Sequence, residues 1–579
     1  MKLITLKVDN QPVQVEAGTT ILEAAKKVGV EIPTLCYMEK INAIGACRIC
    51  VVEIKGTKVL QPACVTPVAP DMEVYTSTTA VRKARNLTLE LILSNHPFEC
   101  LTCIRNQNCE LQSLAETFGI REVRFPGENP PYKADYSSPS VVREPEKCIL
   151  CRRCAAVCDK VQTVNAIALQ ERGFNTTVAP AHHRPLAESV CINCGQCTLV
   201  CPTAALHEND EIERVWAALN DPKKHVIVQT APATRVSLGE EFGMTSGSIV
   251  TGQMVSALKM LGFDKVFDTD FTADLTIIEE GNELLHRVKT GGTLPMVTSC
   301  SPGWIKFIEH FYPDLLPNLS TCKSPQQMFG ALAKTYYAEK MGLDPADIFV
   351  VSYMPCTAKK YEARRPEMQS SGYPDIDVVL TTREVGRMLR QAGINFTALP
   401  ARDYDDPLGI STGAGVIFGA TGGVMEAALR TAYELVTGQE LSSLDFNDVR
   451  GLQGVKEAAV EVGSLTVKVA VAHGLGNARS LMEAVKSGSA DYHFIEIMCC
   501  PGGCIGGGGQ PIPTNLEIRA DRIKAIYMAD ELMVMRKSHL NPAVQQLYKE
   551  FLGEPLGHKS HELLHTHYQA RDKFLIPAT

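Results

Sequence analysis

The sequence predicts a multidomain protein: small α+β units that carry clustered cysteines, followed by one large α/β domain. Three observations predict it. The 579 residues exceed what one hydrophobic core organises. Fifteen of the 21 cysteines lie before Pro202, in four groups at short fixed intervals. Beyond residue 210, strand-like apolar runs such as His225–Gln229 and Asp347–Tyr353 alternate with helical stretches such as Ser324–Met341 and Thr382–Ala392. The expected units are 1–78, 79–125, 138–209 and 210–579, the last with a helical part from about residue 521.

The first unit opens with two alternating stretches, Leu3–Val8 and Pro12–Glu16, and a helix from Thr20, its N-cap, to a stop at Gly29. A cysteine loop follows: Cys36, Cys47, Cys50 and Cys64, spaced C-x10-C-x2-C-x13-C. Strand, strand, helix and cysteine loop resemble the plant-type ferredoxin (β-grasp) fold, with a longer loop similar to that of the large peripheral subunit of respiratory complex I. That resemblance implies a [2Fe–2S] cluster. A four-cysteine zinc site is the alternative, but zinc sites usually pair two C-x2–4-C knuckles.

The second unit, expected to be small and helical, holds His96, Cys100, Cys103 and Cys109, spaced H-x3-C-x2-C-x5-C. Three cysteines need a fourth ligand, and His96 stands close upstream. A lone histidine beside Pro97 would otherwise be read as a surface residue. The large peripheral subunit of complex I and the iron-only hydrogenases share the pattern, which implies a [4Fe–4S] cluster with one histidine and three cysteine ligands. The third unit repeats C-x2-C-x2-C-x3-C: Cys148, Cys151, Cys154 and Cys158, then Cys191, Cys194, Cys197 and Cys201 before Pro202. This is the run of the bacterial two-[4Fe–4S] ferredoxin, in which the fourth cysteine of each run ligates the other cluster. The expected sets are therefore Cys148, Cys151, Cys154 and Cys201, and Cys158, Cys191, Cys194 and Cys197.

Three later stretches carry most of the remaining cysteines: Thr298-Ser299-Cys300-Ser301-Pro302-Gly303-Trp304, Met354-Pro355-Cys356-Thr357-Ala358-Lys359, and Met498-Cys499-Cys500-Pro501-Gly502-Gly503-Cys504 with Gly506–Gly509. They resemble the three signature motifs of the [FeFe]-hydrogenases, and the resemblance runs over essentially the whole chain. It implies an α/β H-cluster domain and the reaction 2H⁺ + 2e⁻ ⇌ H₂. It implies an H-cluster, a [4Fe–4S] cubane joined by one cysteine to a two-iron subsite with CO, CN⁻ and a bridging dithiolate. Its ligand slots fall on Cys356, Cys500 and Cys504, with Cys504 as the bridge. Met354, Pro355 and Gln326 fall in the cofactor pocket, and Lys359 takes the place of the lysine that contacts a cyanide. The relay of protons falls on Glu280, Glu283, Ser320 and Arg287. On residues alone, Glu280, Glu283 and Arg287 would read as a solvated helix face with an i,i+4 ion pair.

The first motif departs from the family, which has two adjacent cysteines there. Cys300 matches the proton-relay slot and Ser301 the ligand slot, yet serine is a poor iron ligand beside thiolate. Three readings stand open: Cys300 swings in as ligand while Ser301 or Cys499 takes over the relay, Ser301 ligates through oxygen, or Cys499 is the compensating thiol. Cys300 as ligand is the favoured expectation. Cys322 is expected to be an ordinary buried thiol. Gly413-Ala414-Gly415, Gly419 and Gly422-Gly423 are expected to form a loop lining the cofactor pocket and not a nucleotide site. His558, His561, His565 and His567 are expected on a helical surface.

Sixty-five acids against 57 bases give a net charge of −8 and no basic field for nucleic acid. No apolar run approaches the ~18–20 residues of a membrane span. The amino terminus lacks a signal-peptide core. A cytoplasmic, reducing location is expected, in which C-x-x-C cysteines hold metal. The motif variants Cys300-Ser301 and Met498-Cys499-Cys500 resemble catalytic subunits of NAD(P)-linked, often electron-bifurcating, complexes. A hetero-oligomer with flavin-containing NAD(P)-binding subunits is therefore expected. Alternatives are a stand-alone hydrogenase served by ferredoxin and a slow hydrogen-sensing or cluster-scaffold relative.

Overall fold

A computed structural model describes residues 2–573 apart from 130, 442 and 464. The first unit is a five-stranded sheet in the order Gln11–Glu16, Leu3–Val8, Glu73–Tyr75, Val51–Ile54, Gln61–Pro62. The first strand alternates exposed and buried residues, so Ile4, Leu6 and Val8 point to one core. The helix is Ile21–Lys27, started by a reciprocal capping box between Thr20 and Glu23. It presses Ile21, Ala24 and Ala25 onto the same core, which also contains Cys50 and Cys64.

Helices Thr79–Ser94 and Glu110–Thr117 form the second unit, and their Leu89, Leu93 and Leu111 pack on Leu35 and Ile49 of the first. The third unit has two antiparallel ribbons, Val141–Arg143 with Leu206–Glu208 and Ala168–Gln170 with Thr177–Ala179. Direct bonds join the units. Asn42 Nδ2 donates to the Cys151 carbonyl at 3.0 Å. The Glu110 N–H donates to the Pro202 carbonyl at 3.0 Å.

The large domain is built on two four-stranded sheets. One is wholly parallel, in the order Lys265–Asp268, His225–Thr230, Ile348–Met354, Val378–Thr381. The other runs Met296–Val297, Phe494–Met498, Leu465–His473, Val455–Val462, with only the last strand antiparallel. Strands buried on both faces read as continuous apolar runs, as Phe494–Met498 does. Ligands of open parallel sheets gather beyond the carboxyl ends of the strands. Those ends here are Thr230, Val297, Met354 and Met498, and each cysteine motif begins where its strand stops. The helix Asp270–Thr290 lies beside them, buried at most positions as far as Glu283.

Two expectations are corrected. Gly413–Val416 is a buried helical turn, not a pocket loop, because a Cβ on Gly415 would lie 2.7 Å from the Asp270 carbonyl. The glycine permits close approach of two helices, and of this run only Phe418 lines the cavity at the strand ends. No strand leads into it, so it lacks the strand–turn–helix context of a dinucleotide cradle. The second correction concerns the C-terminal part, whose helices begin at Leu516 and continue to Leu564. His558, His561 and His567 are exposed there, but His565 is buried, with its ring nitrogens facing Thr321 and Glu279.

Candidate active site and its electron path

The early cysteines lie in groups in the structure. Cys50 and Cys64 sulfurs lie 3.3 Å apart, and Cys36 hydrogen-bonds Cys47 and Cys64. His96, Cys100, Cys103 and Cys109 line one small cavity with Lys147. His96 Nδ1 is buried without a hydrogen-bond partner, and burial pushes the imidazole down to about 4. A neutral ring with an orphaned nitrogen beside three thiols is the state that binds metal. In the third unit, Cys201 neighbours Cys148, Cys151 and Cys154, whereas Cys158 neighbours Cys191, Cys194 and Cys197. The two sets lie close enough that Cys197 also neighbours Cys154 and Cys201.

Five further thiols meet at the strand ends, where Cys300, Cys356, Cys499, Cys500 and Cys504 line one largely apolar cavity with Ser301, Gln326, Met354, Pro355 and Lys359. Lys359 Nζ donates to the Cys300 carbonyl at 3.1 Å and to Glu362 at 2.8 Å, which holds the ammonium at the wall. Glu362 also accepts from Ser324 and Gln326 Nε2 at 2.9 and 3.0 Å. Gln326 Oε1 is buried and unpartnered. Burial, with Cys500 adding to it, pushes the Cys504 thiol up to about 12, and burial also raises Cys356 and Cys300. A cationic group is needed to hold such thiols as thiolates.

The cavity touches the third unit at backbone distance. A Cβ on Gly508 would fall 2.3 Å from the Cys194 carbonyl, and one on Gly195 would fall 2.3 Å from Thr357 Oγ1. Gln196 Nε2 and Thr198 Oγ1 donate to the Gly506 and Gly508 carbonyls at 2.9 and 3.2 Å. The glycines thus let the second ferredoxin-like cysteine run sit directly on the cavity wall. Gly508→Ala is expected to force the two backbones apart and destabilise the fold by about 1–3 kcal/mol, a typical overpacking cost. A thermal melt of the anaerobic protein checks it, and an unchanged midpoint would contradict the close approach.

Sequence families match in the same order. A 2Fe-2S iron-sulfur cluster binding domain covers residues 1–79, an NADH-ubiquinone oxidoreductase-G iron-sulfur binding region 85–124, and a 4Fe-4S dicluster domain 147–205. Residues 224–508 match the C-terminal domain of the iron-only hydrogenase large subunit, and residues 516–571 match the iron hydrogenase small subunit. The NADP-reducing hydrogenase subunit HndD of Solidesulfovibrio fructosivorans is 52% identical over 99% of this chain and 100% of its own length. The chain belongs to the iron-only, or [FeFe]-, hydrogenase family. Iron hydrogenase 1 of Clostridium pasteurianum is 42% identical over 98% of this chain and all of its own. A variant of the [FeFe]-hydrogenase HydA1 from Chlamydomonas reinhardtii is 46% identical and superimposes with a TM-score of 0.57. It covers 63% of this chain and 100% of its own. Among the described residues no helix is long and apolar enough to cross a membrane.

In this hydrogenase Glu280, Ser320, Glu283 and Arg287, the residues expected to relay protons, lie in one hydrogen-bonded group. Glu280 is buried and pushed up to about 8 by that burial, so it holds a proton at neutral pH, and its side chain hydrogen-bonds Ser320. Ser320 Oγ donates to Glu283 Oε2 at 3.1 Å, and Arg287 donates to Glu283 Oε1 at 2.5 Å. Glu280 in turn lies near the Cys300 thiol and acts on it electrostatically. The i,i+4 pair expected of a solvated face is present but faces inward.

Sequence reading did not find Arg383. It donates to Glu208 at 2.7 Å and to the Gly508 and Gln510 carbonyls at 2.9 and 2.6 Å, clamping the glycine loop to the ferredoxin-like unit. Its partners lie more than a hundred residues away in either direction, so no local signal marks it. Nor did sequence show where Cys499 points. Its thiol meets the Cys194 and Cys500 thiols, Gln162 Nε2 lies 3.9 Å away, and its N–H donates to Ser301 Oγ at 3.2 Å.

Proposed function

We propose that this hydrogenase is the catalytic subunit of an NAD(P)-linked complex, carrying one [2Fe–2S] cluster, three accessory [4Fe–4S] clusters and an H-cluster. The observation that carries the reading is the unbroken series of thiol sets leading to a closed five-thiol cavity at the strand ends. The end-to-end match to a subunit named as NADP-reducing supports the partner. In such a complex, a flavin-containing subunit handles the nicotinamide, which places the enzyme in the cytoplasm.

The residues present fit the H-cluster. Thiols converge in an apolar wall, the orphaned Gln326 Oε1 and the Lys359 ammonium stand ready for polar diatomic ligands, and glycines open the floor. When bound, the group supplies an open iron position for hydride and an amine that takes the proton. Cys356, Cys500 and Cys504, which line the cavity, would hold it. For the fourth position we assign Cys499, and not Cys300 as the sequence favoured. The Cys499 thiol adjoins that of Cys500, whereas the Cys300 thiol has Glu280 as the side chain that acts on it most strongly. Ser301 then serves through its Oγ, which accepts the Cys499 N–H and fixes that loop.

The protein's own part follows. Cys300 passes protons to Glu280, and Ser320 links Glu280 to Glu283 at the outer end beside Arg287. The Cys194 and Cys499 thiols are in contact, so clusters held by these two residues would be adjacent. The apolar cavity excludes water, which strengthens the Lys359 interaction.

Electrons enter at the second unit, where Cys100 is exposed between Phe98, 67% exposed, and Leu101, 91% exposed. Exposed apolar residues around a cluster ligand suit a docking partner. Leu101→Asp is expected to raise the concentration of flavin subunits needed for NADP-linked turnover by about tenfold, or about 1.4 kcal/mol. Viologen-driven evolution should stay unchanged. Full activity with ferredoxin and none with flavin subunits would select the stand-alone enzyme instead. Slow evolution with reduced viologen by fully matured protein would select the sensor.

A further inference from the structure

Cys322 has no place in any cluster, and the sequence puts His565 on a helical surface. The structure sets both against Glu283. The ligand atoms of Glu283, Cys322 and His565 lie within 4.8 Å of one another, and all three residues are buried. Cys322 Sγ is 3.9 Å from Glu283 Oε2. Glu283 gives its Oε1 to Arg287 and turns Oε2 toward Cys322, Ser320 and Thr321. His565 arrives from the C-terminal helix and is fixed by strand-like bonds. Lys323 N–H donates to the Leu564 carbonyl, and Thr566 N–H to the Thr321 carbonyl, both at 2.8 Å.

We propose that Glu283, Cys322 and His565 form a divalent-metal site, of the zinc class, whose occupancy stalls proton transfer. Thiolate, imidazole and carboxylate together suit zinc, which takes all three at tetrahedral centres, and not magnesium or calcium, which take oxygen. The second shell is already in place. His565 Nε2 faces Glu279 Oε2 at 3.2 Å, and Glu279 also accepts from Tyr548 at 2.5 Å and from the Leu556 N–H at 2.9 Å. A carboxylate on Nε2 sets the tautomer that leaves Nδ1 free as a donor to metal, the usual carboxylate–histidine–zinc arrangement. Nδ1 faces Thr321 Oγ1 at 2.8 Å, and that hydroxyl is itself 3.1 Å from Glu283 Oε2, so Nδ1 is on the Glu283 side. The exposed His561 packs at a tilt against His565, with ring centroids 4.3 Å apart, and gives the ion an entry point from solvent. Bound metal takes the Oε2 that receives the Ser320 hydroxyl, which removes one link from the relay. This last step rests on the role proposed for Glu283.

The test uses the matured full-length enzyme with one equivalent of Zn²⁺. Zinc-edge X-ray absorption should show one sulfur at about 2.3 Å and nitrogen or oxygen at about 2.0–2.1 Å. Hydrogen evolution from reduced viologen should fall as zinc is added, with the infrared bands of the cofactor unchanged. Cys322→Ser should keep the zinc-free rate, lose the sulfur shell and need at least about tenfold more zinc for half inhibition. If the serine variant does not fold, His565→Gln should likewise keep the zinc-free rate and need at least about tenfold more zinc for half inhibition. A shell with two or more sulfurs, or equal zinc sensitivity in both variants, would overturn the site. A one-sulfur shell with undiminished turnover would leave the metal site standing, refute its inhibitory role and count against Glu283 as a relay member.

Discussion

Glu283→Gln is expected to lower hydrogen turnover by about 10²–10⁴-fold, the range of a positioned proton-transfer group. The carboxylate collects the Ser320 hydroxyl, the Thr321 N–H at 3.0 Å and the Arg287 guanidinium at 2.5 Å. Glutamine has the same shape and accepts most of these bonds, but its amide does not take up and release a proton. The loss therefore falls on turnover and not on assembly. The infrared bands of the cofactor should keep their positions, and the rate should not recover with more electron donor. Arg287 also donates to the Leu319 carbonyl at 2.7 Å, which keeps the guanidinium satisfied when its charge partner goes. Turnover within about twofold of the parent would remove Glu283 from the proton path, since even the weakest positioned acid–base groups contribute more than that.

The second large effect separates two neighbouring thiols. Cys499→Ala is expected to abolish activity by leaving the cubane short of a ligand, with iron content falling and the cubane signal missing from electron paramagnetic resonance. Cys300→Ala is expected to assemble the full cofactor and to lose about 10²–10⁴-fold in rate, because only the innermost proton carrier is gone. The contrast arises from where the sulfurs face. Cys499 adjoins Cys500 and Cys194, while Cys300 neighbours Glu280. Gly303 makes room for this, since a Cβ there would lie 2.6 Å from the Cys499 sulfur. A Cys300→Ala protein without a cubane, beside a Cys499→Ala protein with one, would restore Cys300 as the ligand that the sequence favours.

What was legible in the sequence was local. Ligand spacing within a loop and its hydrogen-bonded turns is set over a few residues, so the runs at Cys148 and Cys191 declared themselves. The cap at Thr20 and the strand–helix alternation after residue 210 are equally short-range, and the structure places them within one or two residues of expectation. What was not legible depends on chain segments hundreds of residues apart. His565 looks like one of four surface histidines until the C-terminal segment pairs with Thr321–Lys323 and buries it. The glycines from Gly413 to Gly423 look like a pocket loop, yet they serve close packing against Asp270 and Val449. Cys499 is ambiguous for the same reason: its spacing fits a ligand, but only the approach of the Cys194 loop and of Cys500 shows which way its thiol turns.

The central claim is that the five-thiol cavity at the strand ends holds an H-cluster whose fourth cubane thiol is Cys499. An infrared spectrum of the matured protein, recorded beside the Cys499→Ala and Cys300→Ala variants, tests it most directly. The account predicts CO and CN⁻ bands in the parent and in Cys300→Ala, and none in Cys499→Ala. Absence of those bands in matured parent protein would contradict the cofactor. Their survival in Cys499→Ala would contradict the ligand assignment.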